Sequence, residues 1–148
     1  MSNTATDARI VSMRAELLAE ILLRELKPEF LANSKGSTPY DLFIGFKTHD
    51  GGLNTFAVEV KATENVVRNP YRLQLGAKML ETLLRANIKV LLLVINVRNN
   101  KCYFTWSDKI SVPEENVRAR SKSLELELIE VTEATKKQLY DEVRLPMK

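Results

Sequence analysis

The sequence predicts an α/β fold with a mixed central β-sheet of about five strands flanked by helices, followed by a C-terminal strand and helix. Segments with helical and with strand-like periodicity follow one another along the chain. Two pairs of β-rich segments are joined by short turn-forming sequences, Asp50-Gly51-Gly52 and Arg98-Asn99-Asn100. A segment with helical spacing lies between these two pairs. Together these observations favour a sheet that packs between helices.

The first half of the chain contains a helix and the first hairpin. Residues 7–26 have helical periodicity, and Pro28 closes that segment. A short strand is predicted over residues 29–32, before a loop rich in turn-forming residues. The segments 40–47 and 54–63 are rich in aromatic and β-branched residues, so we expect them to form a hairpin.

The second half contains a helix, another hairpin and a closing strand and helix. Leu73, Ala77, Leu80 and Leu84 have helical spacing and predict a helix over about residues 71–86. The later elements are predicted from apolar runs and alternation, as strands over 89–97, 101–106 and 123–131 and a helix over 132–143.

Length and composition limit the possibilities. A chain of 148 residues has the length of one domain, so we expect one domain over residues 1–148. The net charge of +3 is too small to identify a nucleic-acid-binding protein. One cysteine and one histidine leave no basis for a disulfide or a zinc cluster. The polar segment Met1–Asp7 and the short apolar runs predict a cytoplasmic protein without a membrane partner.

The first hairpin brings three charged residues together. Side chains alternate along a strand, so Glu59 and Lys61 share one face of the segment 54–63. Partner residue numbers in an antiparallel hairpin add to a constant. A turn centred on Asp50 or Gly51 therefore places Asp41 opposite a residue between 59 and 61.

This arrangement of charges has a chemical use. Two adjacent carboxylates repel each other unless a cation lies between them, and Mg²⁺ accepts one or two carboxylates together with water and phosphate. Mn²⁺ is the expected substitute. A neighbouring lysine stabilises charge on a phosphate and positions the attacking water. The pattern is thus suited to phosphodiester hydrolysis, although alternating charges on a strand are also typical of a solvated face.

The same residues resemble a known family. Pro39-Tyr40-Asp41 followed by Glu59-Val60-Lys61 resembles the PD-(D/E)xK nuclease signature, with Tyr40 as an inserted residue. The order of elements over residues 10–110 is similar to the restriction-endonuclease-like αβββαβ core. The stretch Ala15-Glu16-Leu17-Leu18 before the motif resembles small Holliday-junction-resolvase-like stand-alone members.

The resemblance implies a Mg²⁺-dependent endodeoxyribonuclease and a role for each matching residue. Asp41, Glu59 and the backbone carbonyl of Val60 would bind the metal, and Lys61 would serve the attacking water. The family's helix carboxylate would be Glu16, which the helical projection favours over Glu20. DNA is the expected substrate, with RNA as an alternative, and no nucleotide cofactor is expected. Symmetric cutting of two strands predicts a homodimer.

Weaker candidates surround this set. Ser34, Lys35 and Ser37 precede Asp41, Arg68 and Arg72 flank Pro70, and Gln74 and Lys78 lie on the predicted helix after the active strand. Each is a candidate phosphate contact or an ordinary polar surface residue. Two other functions stay open: a non-catalytic nucleic-acid-binding or assembly subunit on the same fold, and an unrelated α/β interaction module.

Overall fold

The computed structural model of the protein describes residues 4–34, 40–64, 71–110 and 124–146. Its strands pair in the order β1-β2-β3-β5-β6-β7-β4, and only β3 and β5 are parallel among the paired neighbours of these ranges. The predicted α/β class with a mixed sheet is confirmed. The elements are α1 (Thr4–Glu25), β1 (Phe30–Asn33), β2 (Leu42–Lys47), β3 (Leu53–Thr63), β4 (Tyr71–Leu75), α2 (Ala77–Leu84), β5 (Val90–Asn96), β6 (Cys102–Trp106), a 3₁₀ turn (Ser107–Lys109), β7 (Leu124–Glu130) and α3 (Glu133–Glu142).

The predicted helix over residues 71–86 is wrong in its first part. Tyr71–Leu75 forms the strand β4 and pairs antiparallel with β7, with Leu73 opposite Leu126. The sequence Tyr-Arg-Leu-Gln-Leu alternates apolar and polar residues, and pairing with a second alternating strand satisfies that period of two. Gly76 then separates the strand from α2, with extended dihedral angles (φ −66°, ψ 157°) at the helix N-cap.

The helix α1 covers one face of the sheet. Its residues Ala15, Ala19 and Leu23 are buried against Phe56 and Val58 of β3 and against side chains of β5 and β6. The helix begins earlier than predicted, at Thr4, and ends at Glu25, before Pro28. Although α1 has 22 residues, no helix in the described ranges is both long and apolar enough to cross a bilayer.

A second apolar layer covers the opposite face of the sheet. Leu80 and Leu83 of α2 pack in one cluster with Ala57 of β3 and Leu92 of β5. Leu84, which was expected on the buried face, is 39% exposed. Both faces of β3 therefore contribute to a core: Phe56 and Val58 belong to the layer under α1, and Ala57 belongs to the layer under α2.

The segment after β7 holds the end of α1 in place. The helix α3 begins with a capping box at Thr132, and its Leu139 is buried in the α1 layer. The guanidinium of Arg144, only 9% exposed, donates to the carbonyls of Leu26 (2.6 Å) and Lys27 (3.0 Å). The same group stacks on the Tyr140 ring at 3.6 Å. Arg144 thus binds the carbonyls of the two residues that directly follow α1.

Candidate active site

The β2–β3 hairpin sets the position of the site. Its partners run from Leu42 opposite Val58 to Lys47 opposite Leu53, so the numbers in each pair add to 100. The turn is closed by the Thr48 N–H, which donates to the Gly52 carbonyl at 2.9 Å, and Gly51 takes a left-handed φ of 90°. Asp41 directly precedes β2, and the same sum places it opposite Glu59, within the predicted range.

Asp41 is held by backbone groups on both neighbouring strands. Its N–H donates to the Val58 carbonyl (3.0 Å), and its Oδ2 accepts from the Val60 N–H (2.8 Å). These two contacts lie on either side of Glu59 along β3. On the β1 side, the Ser34 N–H donates to the Asp41 carbonyl at 3.1 Å. The Asp41 carboxylate is therefore fixed beside Glu59 by hydrogen bonds to the main chain.

Ser34 makes a structural contact next to Asp41. Its hydroxyl donates to the carbonyl of Tyr40, which agrees with the alternative of an ordinary polar turn before Asp41. Sequence reasoning missed this contact, because only the pairing of β1 with β2 brings residue 34 next to residues 40 and 41.

Glu59 is the most buried of the candidate residues, with 7% of its surface exposed. Its neighbour two residues earlier on the same face, Ala57, belongs to the apolar layer under α2. Burial raises the pKa of Glu59 to about 7, and the negative charge of Asp41 adds to the effect. The interpretation of Glu59 as a solvated surface charge is therefore wrong.

Glu59 and Asp41 behave as a carboxyl pair. The raised pKa also reflects a side-chain hydrogen bond between Glu59 and Asp41 and a smaller contribution from the charge of Glu16. The positive charge of Lys61 acts in the opposite direction and lowers the pKa of Glu59. Near neutral pH, Glu59 is thus protonated in part, and a divalent cation bound beside it would favour release of that proton.

Lys61 lies two residues after Glu59 on β3, so the two side chains share one face of the strand. It is partly buried and stands in register with Val94 of the parallel strand β5. The positive charge of Lys61 lowers the pKa of Glu59, two residues earlier on the same face of β3. The predicted combination of Asp41, Glu59 and Lys61 is therefore brought together by two neighbouring strands.

The two helix carboxylates differ in their surroundings. Both Glu16 and Glu20 line a cleft that also contains Asp41 and Leu42. Partial burial raises the pKa of Glu16, and the charge of Asp41 raises it further. Glu20 instead forms an ion pair with Arg24 at 3.2 Å. Glu16 is thus the helix carboxylate that interacts with the pair.

Of the weaker candidates that the structure describes, two lie on a strand distant from this cluster. Arg72 and Gln74 lie on β4, at the sheet edge far from β3, where they stand opposite Glu127 and Glu125 of β7. The strand order places β5, β6 and β7 between these two residues and Glu59 on β3. Lys78 is exposed in the first turn of α2. Lys35, Ser37 and Arg68 lie outside the described residues.

The donor set is compatible with a hard divalent cation at a site of two carboxylates. Among the described residues, no group of three Asp, Glu, His or Cys side chains has an arrangement that would hold a metal ion. Mg²⁺ requires only one or two protein carboxylates, because water and substrate phosphate supply its other ligands. Val60 lies two residues beyond the last β2–β3 pair, next to Asp41, so its carbonyl is a reasonable further ligand.

The chain was compared with known protein families and with curated proteins. No family model matches it, and no curated protein sequence matches it significantly.

Proposed function

We propose that this protein is a metal-dependent endonuclease that hydrolyses DNA phosphodiester bonds. The observation that carries the proposal is the position of Asp41 beside the buried Glu59: Asp41 is hydrogen-bonded to Val58 and Val60, on both sides of Glu59 along β3. A buried carboxyl group next to a second carboxylate costs stability, and such costly groups concentrate at functional sites. The proposal includes a restriction-endonuclease-like arrangement of α1, β2, β3, α2 and β5, in which the motif residues lie on adjacent strands.

Asp41 and Glu59 would hold Mg²⁺, with the carbonyl of Val60 as a further ligand. When bound, the ion supplies positive charge to the scissile phosphate and lowers the pKa of a water molecule. The Val60 N–H fixes the Asp41 carboxylate, so this ligand is already oriented. Glu59 has to lose its proton before it binds, because its pKa is near 7.

Lys61 has two roles in this proposal. Its positive charge favours the ionised form of Glu59, which is the form that binds a cation. Its ammonium group also stabilises negative charge on the phosphate and orients the attacking water. Glu16 on α1 lines the same cleft as Asp41 and adds a negative charge near Asp41 and Glu59, which would favour a cation at this site.

Double-stranded DNA is the proposed substrate, with a homodimer as the form that cuts both strands. The experiment incubates supercoiled, linear and four-way-junction DNA with the full chain and Mg²⁺. Asp41→Ala and Lys61→Ala are compared with two matched exposed controls, Glu127→Gln and Lys47→Ala. We expect cleavage by the wild type and by both controls only. Cleavage that survives in Asp41→Ala or Lys61→Ala would refute the assignment.

A second candidate is a non-catalytic nucleic-acid-binding or assembly subunit. The lack of three convergent metal ligands among the described residues favours it. It predicts salt-sensitive DNA binding without Mg²⁺-dependent turnover, so the same cleavage assay and a filter-binding titration against salt separate the two functions.

A further inference from the structure

The helix α1 has a second apolar stripe that the fold does not bury. Ile10, Met13, Leu17 and Ile21 are between 54% and 60% exposed. At ~100° per residue they lie within an arc of about 80°, on the opposite side of the helix from the buried alanines Ala15 and Ala19. The stripe is about 16 Å long, because 11 residues separate its ends. Large apolar side chains that line up in this way are typical of an interaction surface.

We infer that this stripe is the interface between two copies of the chain, packed with their α1 helices antiparallel. The stripe is centred near residue 15, so a two-fold axis there places residues whose numbers add to about 30 opposite each other. Met13 then faces Leu17 of the partner subunit. Ile10 faces the partner subunit's Ile21, so the stripe is complementary to itself.

The charges of α1 favour a second copy in this direction. Residues 7–14 contain two basic residues and one acidic residue, a net charge of +1, whereas residues 16–25 contain three acidic residues and one basic residue, a net charge of −2. Antiparallel packing brings the positive half of each helix against the negative half of the other. Parallel packing brings like charges together. In the antiparallel arrangement, Arg9 lies near Glu20 of the partner subunit.

The interface would lie beside the candidate active site. Met13 and Leu17 of the stripe line the same cleft as Glu16 and Asp41. Arg9 of the partner subunit, which approaches Glu20, would therefore add a positive charge to the rim of a cleft that contains several carboxylates. The other flank of α1 is engaged within the chain, where Arg14 donates to the Asn100 side chain at 2.9 Å.

Sedimentation velocity of the full chain over roughly 1 to 200 μM tests the inference. A single helix pair is a small interface, so we expect a dimer that dissociates in the roughly micromolar range. Leu17→Glu should weaken the dimer at least ~10-fold, because it places a carboxylate in the stripe. The matched control is Leu53→Glu on β3. Leu53 is 56% exposed and Leu17 is 60% exposed, so both substitutions add a charge at a similarly open position.

A charge exchange tests the direction of packing. Arg9→Glu and Glu20→Arg should each weaken the dimer several-fold, and the double variant should recover most of the loss. Circular dichroism of every variant confirms that the helix remains folded. A wild-type chain that stays monomeric at the highest concentration would overturn the inference. So would a double variant as weak as the single ones, or a Leu53→Glu chain that dissociates like Leu17→Glu.

The inference does not depend on the nuclease activity, because sedimentation velocity measures the mass of the particle and not its cleavage of DNA. A monomer that cleaves DNA with Mg²⁺ would refute the dimer, including the proposed dimeric form of the nuclease, and leave Mg²⁺-dependent cleavage standing. A dimer that has no Mg²⁺-dependent cleavage would refute the proposed function alone.

Discussion

The Asp41 carboxylate accepts a hydrogen bond from the Val60 backbone N–H at 2.8 Å, while the Asp41 N–H donates to Val58 at 3.0 Å. Asp41 thus contacts β3 on both sides of Glu59. The contact gives Asp41 a structural role in addition to the proposed catalytic one. Variants at this position are therefore expected to separate the two roles.

Asp41→Asn should keep the fold and remove the activity. The asparagine carbonyl still accepts from Val60, so we expect its free energy of unfolding to lie within about 1 kcal/mol of wild type. Asp41→Ala leaves the Val60 N–H without its acceptor and should cost roughly 1–3 kcal/mol. Both variants should lose cleavage by roughly 10²-fold or more, because the ligand charge is gone. Urea unfolding and cleavage rates measure the two effects, and equal stability of the two variants would contradict the structural role.

Glu59→Gln should change how stability depends on pH. The ordinary pKa of the Glu59 carboxyl is 4.5 and burial raises it to about 7 in the folded chain, so the folded state binds the proton more tightly than the unfolded state. The contribution of Glu59 to the free energy of unfolding is fully present below about pH 4.5, and it is lost as the pH rises through about 7. Glu59→Gln mimics the protonated group. The free energy of unfolding of Glu59→Gln should therefore match that of wild type near pH 4 and exceed it by roughly 1–3 kcal/mol near pH 8.

The control for that comparison is Glu127→Gln, which alters an exposed carboxylate on β7. Its unfolding free energy should follow wild type at every pH. If the difference in unfolding free energy between Glu59→Gln and wild type did not grow with pH, Glu59 would have an ordinary pKa.

Mg²⁺ binding should release a proton. Because Glu59 is protonated in part near pH 7, the cation competes with that proton, and its affinity should rise as the pH increases through about 7. Calorimetry in buffers of different ionisation enthalpy should detect up to about one proton released per ion near pH 6.5. Mg²⁺ should also raise the melting temperature of wild type and leave that of Asp41→Asn unchanged. An unchanged melting temperature in wild type would contradict the metal site.

Glu16 and Glu20 should differ in their effect on cleavage. Glu16→Gln removes a charge that interacts with Asp41 and Glu59, so we expect a loss of about 10-fold or more. Glu20→Gln removes an ion pair with Arg24 on the helix surface and should change cleavage by less than about twofold. Cleavage rates of the two variants and of wild type, measured at saturating Mg²⁺, test this difference. A larger loss in Glu20→Gln would reverse the assignment of the helix carboxylate.

The hairpin was predictable because its geometry is local. Asp50, Gly51 and Gly52 favour a tight turn, and once the turn is placed the pleat and the register fix the position of Asp41 relative to Glu59. The second hairpin, with β5 and β6 around residues 98–100, was predictable for the same reason. The strand β7 also agreed with its alternation, since Leu126 and Leu128 are buried and Glu127 is exposed.

Features that depend on distant contacts were not predictable. The leucines at positions 73, 80 and 84 fit a helical spacing as well as a strand followed by a helix, and the pairing of β4 with β7 decides between them. The burial of Glu59 depends on the layer under α2, which an alternating strand does not reveal. The exposed stripe of α1 was not predicted for another reason. Its residues have the helical spacing of three and four, but the same helix also carries the buried residues Ala15, Ala19 and Leu23, so one apolar pattern masks the other.

The contact between Arg144 and the end of α1 has a consequence for how the protein is made. The carbonyl of Leu26 and the guanidinium that satisfies it are 118 residues apart in the chain. During synthesis, the helix that carries Glu16 is therefore complete long before the carbonyls that directly follow it receive this partner. A nascent or truncated chain that lacks residue 144 exposes the end of this helix, so we expect chaperones and proteases to distinguish it from the full chain.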